Sequence, residues 1–98
     1  MTLLVLPDRY RVTFPPSESN SAIWIVVRCD KPAYQEVQDV EIPPAKDGIE
    51  PEQMDIPRRP LPPHASYFIE ADLMRWQAGD KRPELVAVES VSVEIHVP

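Results

Sequence analysis

A single cysteine, Cys29, stands in the 98-residue chain, so no internal disulfide can form. Small secreted domains usually carry several bridges, and their absence points to a reducing setting, the cytoplasm or a virion assembled there. Two glycines are too few for a phosphate-cradling loop or for a run of tight hairpins, whose turns need positive φ. The two histidines, His64 and His96, neighbour no Cys, Ser or Asp in a nucleophile arrangement and supply no zinc set. A lone cysteine at a strand end reads as a small apolar residue. Long apolar runs are also missing. Leu3–Leu6 is too short for a signal peptide or a membrane span, and no membrane association is expected. Clustered bases are absent too: the densest pair, Arg58-Arg59, sits beside an acidic stretch, so nucleic acid is not an expected partner.

What the chain does have is proline and acid in one place. Seven of its 13 prolines fall between Pro43 and Pro63. From Glu36 to Asp55 there are seven acids and one base, Lys46, which accounts for the whole net charge of −6. Prolines remove backbone donors and fix φ, so residues 43–63 are predicted to be a long, stiff, acidic loop outside the regular structure, with room for one helical turn at Glu50–Met54, where Pro51 would take the first helical position. Asp47, Glu50, Glu52 and Asp55 surround Gly48, but Ile49 and Pro51 occupy positions that a calcium loop would make polar, so no metal is expected. Pro57–Pro60 and Pro60–Pro63 have the spacing of PxxP ligands. They are read here as stiffeners of a connection, which lowers its ordering cost.

On either side lie strand patterns. Tyr10, Val12 and Phe14 alternate with Arg11 and Thr13. Ala22–Cys29 is apolar on both faces up to Val27, which predicts a central strand buried on both sides, with Trp24 and Val26 as inaccessible as Ile23 and Ile25. Glu36–Ile42 is a weaker strand with Gln38, Val40 and Ile42 inward. Ser66–Trp76 places Tyr67, Ile69, Ala71 and Leu73 on one face, with a change to helical turn conceivable after Ala71. In the last run Val91, Val93, Ile95 and Val97 share a face, and Glu89 breaks the register as a β-bulge would. Helix competes with strand over residues 84–90, and the valines favour strand. Six or seven strands, one per twelve residues or so, predict a single all-β domain over residues 1–98. Its expected architecture is a small antiparallel β-sandwich, immunoglobulin-like or jelly-roll-like, with a long Pro-rich acidic loop at 43–63.

No constellation suggests catalysis or a cofactor, and the expected function is a non-enzymatic interaction or structural module. Its setting would be a larger assembly, such as a viral or phage particle or a multi-subunit complex, or it would act as a small acidic inhibitor. The expected partner is a protein of basic character, with homo-oligomerisation through edge strands as another mode. The residues assigned to contact are Glu50, Glu52, Asp55, Arg58 and Arg59, on a loop expected to carry little packing. The alternative is a carbohydrate-binding module, for which Trp76 and Tyr34 would have to share an exposed face.

Overall fold

The computed structural model describes all 98 residues and is entirely strand and loop. Seven strands form in chain order: β1 (Thr2–Val5), β2 (Arg9–Thr13), β3 (Asn20–Cys29), β4 (Tyr34–Glu41), β5 (Gln53–Pro57), β6 (Ala65–Ala78) and β7 (Pro83–Val97). They make two antiparallel sheets, β1-β2-β5 and β4-β3-β6-β7. The sheets pack as a sandwich. Tyr10, Val12, Phe14 and Ile56 from the first sheet meet Ile23, Ile25, Val27, Tyr67, Ile69, Ala71 and Leu73 from the second in one buried cluster. Period-2 alternation supplies that cluster: each of these strands turns every second side chain inward.

The predicted two-sided burial of Ile23–Val27 is not what forms. β3 is central within its sheet, hydrogen-bonded to β4 and β6, but from Ile23 to Val27 only the inward residues Ile23, Ile25 and Val27 are buried. Trp24 and Val26 are half-buried on the outer face, where no second layer covers them. An antiparallel sheet needs only one dry face, and apolar side chains on the other are shielded by cross-strand neighbours. Trp24 lies between Asp39 and Asp72.

The acidic, proline-rich stretch is also not a continuous loop. Residues 53–57 form β5, paired with β2 in the register Tyr10↔Ile56 and Val12↔Met54, and the Phe14 amide donates to the Glu52 carbonyl at 2.9 Å. The predicted helical turn at Glu50–Met54 is absent. The alternation of Met54 and Ile56 with Gln53 and Asp55 prevails over the flanking prolines once β2 offers an edge. Pro57 closes an edge strand, one of the places where a sheet tolerates proline. Within the preceding connection, Lys46 and Ile49 exchange both backbone hydrogen bonds across Asp47-Gly48, each with positive φ (54° and 75°). Asp-Gly is a preferred pair for such a two-residue turn.

β6 is strand throughout, and residues 84–90 are strand, as the valines indicated. The β6–β7 register shifts between Leu73↔Glu89 and Met74↔Ala87, leaving Val88 as the extra residue beside Glu89, where the bulge was expected. β6 pairs with β3 only as far as Arg75, so Trp76–Ala78 and the start of β7 project as a two-stranded arm. Its tip is closed by Gly79, whose amide donates to the Arg82 carbonyl. A Cβ at Gly79 would lie 2.5 Å from that carbonyl, so the position admits only glycine without a shift.

On the outer face of the larger sheet Glu70 is flanked by Val26 and Ser92 and lies two residues from Asp72, which accepts a 2.6 Å hydrogen bond from Ser90. Burial, then the neighbouring Asp72 charge, raises the Glu70 pKa above 4.5. The ionised form is therefore the one the fold penalises, and the favourable contribution of protonated Glu70 is lost as pH rises through its folded-state value. Glu70→Gln should melt higher than the parent at neutral pH. The difference should vanish below about pH 4, where the carboxyl is protonated in both states. Thermal melts of both proteins across that range check it, and an unchanged or lower melting temperature at neutral pH would contradict it.

Candidate functional site

The acidic window does not survive folding as one patch. Glu36 turns inward and is buried, accepting a 2.8 Å hydrogen bond from the Tyr34 hydroxyl. Burial raises the Tyr10 hydroxyl pKa, opposed by the nearby Arg58 guanidinium. Together with Gln38, whose amide donates to the Pro57 carbonyl at 3.2 Å, these groups form a polar seam between β4 and β5. The inward parity of Gln38, Val40 and Ile42 extends to Glu36, so this buried acid was legible in the pattern.

The five assigned contact residues fall into three places. Arg58 and Arg59 belong to the seam's end. The Arg58 side chain donates to the Leu6 carbonyl at 2.9 Å, and Arg59 lies 3.7 Å from Glu36. The proline segment they begin is fastened down: Leu61 packs on the core and the Tyr67 hydroxyl donates to the Pro62 carbonyl at 2.6 Å. A PxxP ligand must present its prolines to a groove, and this one is held against its own sandwich. Asp55 is in β5, not in a loop. It accepts a two-pronged pair from its cross-strand partner Arg11 (2.9 and 3.1 Å) and lies 3.3 Å from Arg9. The Arg11 hydrogen bonds hold its pKa below the usual carboxylate range, so Asp55 is committed to cross-strand pairing.

Glu50 and Glu52 lie at the opposite end of β5, and Glu50 opens onto the largest concavity of the molecule. This shallow cleft, about 860 Å³, is framed by the β2–β3 connection, the end of β4, the β4–β5 connection and the arm. Three carboxylates line it, Glu18, Glu41 and Glu50, together with Pro43, Pro44 and Trp76. None of the three acids takes part in an ion pair. Trp76 is 57% exposed, more than any other aromatic side chain among the exposed hydrophobics. Glu50 is shared with a neighbouring hollow lined by Glu52 and Ile49. Two prolines and the Asp47-Gly48 turn stiffen the wall that carries Glu50.

Sequence reasoning named Glu50 and Trp76 and missed Glu18 and Glu41 as their companions. Glu18 comes from outside the acidic window, and only the sheet pairing brings the β2–β3 connection beside the end of β4. Trp76 and Tyr34 form no shared platform. Tyr34 pairs with Cys29 at one end of β3 and meets Tyr67 edge-to-face with centroids 5.8 Å apart, while Trp76 lies beyond the Asn20 end. Nine residues of strand, on the order of 30 Å, separate them. No group of three or more His, Cys, Asp or Glu side chains converges as a metal site would require. No family model, curated protein or solved structure matches this chain.

Proposed function

We propose that this domain is a non-enzymatic protein-interaction module of a larger assembly, and that its cleft takes Lys or Arg side chains of a basic partner. The observation that carries the reading is Trp76, exposed at the rim of a hollow whose three carboxylates have no internal counter-charge. An indole face attracts a cation by about 0.5–1 kcal/mol at an exposed site and more when desolvated. Carboxylates alongside add charge-assisted hydrogen bonds, and a patch of one sign accelerates encounter with the opposite sign. The net charge of the whole chain, −6, acts in the same direction. The setting we assign is a reducing one, a cytoplasmic complex or a particle built there, because the single cysteine is buried and unpaired.

The test uses a flexible peptide of alternating Lys and Gly, which has charge but little strand propensity. Binding is measured by isothermal titration calorimetry, which reads the parent and the Trp76 variant alike. Replacing Glu18, Glu41 and Glu50 together with Gln should weaken binding by about tenfold or more and flatten its salt dependence, and Trp76→Ala should weaken it independently. The fold should stay intact, since all four side chains lie outside the buried cluster. Equal binding of a Glu-and-Gly peptide, or no effect of the triple replacement, would overturn the reading.

A further inference from the structure

The cleft ends on β4, and β4 has an unoccupied edge. Its one strand neighbour is β3, and no hydrogen bond reaches the backbone groups on its other side. Its pairing with β3 runs without a bulge from Cys29↔Tyr34 to Ala22↔Glu41. It holds no proline and no lysine. The other edge of the same sheet is defended in the ways natural edges are. β7 opens with Pro83, is broken by the Val88 bulge, and has the Met1 amino group 3.0 Å from Glu89. β4 is a straight template that lacks all of these.

We infer that β4 accepts an extended, basic segment of the partner as an added antiparallel strand, which delivers a cation into the cleft beside Trp76. The inference rests on the cleft reading above and names the conformation and pattern of its ligand. Charge selects the occupant. β4 carries Glu36, Asp39 and Glu41 and no base. Glu36 is inward and already met by Tyr34 and Arg59, which leaves Asp39 and Glu41 exposed on the outer face with Val37. A second copy added at this edge would lay two acidic, base-free strands side by side, whereas a basic strand complements the acids. Running antiparallel to β4, the added strand starts at Glu41. The residues opposite Glu41 and Asp39 are then basic, and the residue opposite Val37 is apolar. The pattern is basic-x-basic-x-apolar, with its first base next to Glu50 and Trp76. Main-chain hydrogen bonds supply affinity in this mode, and alternate side chains supply specificity.

The probe is a capped peptide of sequence Lys-Thr-Lys-Thr-Val-Thr-Val. It is compared with a version N-methylated at alternate residues, which keeps every charge but removes the donors a strand needs. Binding is read by tryptophan emission, and its location by amide exchange along β4 and β7. The expected result is that N-methylation weakens binding about tenfold or more, and that amides within Gln35–Glu41 become protected only with the unmodified peptide. Equal affinity of the two peptides overturns strand addition while leaving the cleft reading intact, provided binding still falls in the Gln variant. Protection on β4 that persists when Glu18 and Glu50 are Gln sinks the cleft reading and leaves strand addition standing. Protection confined to β7, or β4 protection that appears without peptide as protein concentration rises, overturns the inference in favour of the other edge or of a second copy.

Discussion

Ile25→Ala is expected to lower the free energy of unfolding by about 2–5 kcal/mol, measured by chemical denaturation. Ile25 is fully buried at the centre of β3, the strand that holds β4 on one side and β6 on the other. Its side chain meets the opposite sheet, so truncation removes contacts across the sandwich and leaves a cavity that the sheet backbones cannot close. A domain of this size commands only about 5–15 kcal/mol in total, so the variant should be close to unfolding at physiological temperature. A loss under about 1 kcal/mol would mean that the two sheets do not pack over β3. Val26→Ala, one residue along, should cost distinctly less, because Val26 is half-exposed on the outer face. The contrast between neighbours tests the one-sided burial of this strand directly.

Within the acidic, proline-rich stretch, Ile56→Ala is expected to cost about 2–5 kcal/mol and Ile49→Ala less than about 0.5 kcal/mol. The two isoleucines are seven positions apart in the same low-propensity setting. Ile56 is 0% exposed, opposite Tyr10 in the edge strand β5, whereas Ile49 is 73% exposed beside the Asp47-Gly48 turn. If the stretch were a loop laid over a finished sandwich, both changes would be nearly silent. Equal, small losses in urea denaturation would remove β5 from the fold. The outcome also bears on the contact residues. Asp55 shares β5 with Ile56 and is paired with Arg11, so charge neutralisation there perturbs the sheet and cannot report on binding alone. Glu50 lies outside the strands and outside the core, and can be changed without that complication.

The amino-acid sequence by itself determined the all-β class and most of the strands. Those properties follow from local alternation, visible wherever one face is wetted: Tyr10/Val12/Phe14, Tyr67/Ile69/Ala71/Leu73 and Val91/Val93/Ile95/Val97 all point as their parity requires. The bulge at Val88–Glu89 was legible for the same reason, since a break in parity is also local. Tertiary structure decided what parity cannot encode. Whether Trp24 and Val26 would be covered depended on a third layer that the chain does not supply. Whether Met54 and Ile56 formed a strand depended on β2 offering an edge for them, which outweighed the prolines around them. The acids of the window were sorted the same way: Glu36 was buried, Asp55 was paired, and Glu41 and Glu50 were left free beside Glu18 and Trp76. Charge along a chain is a one-dimensional count, but a cleft is made of residues from four separate connections and strands. Only their pairing across the two sheets brought these side chains to one end of the molecule.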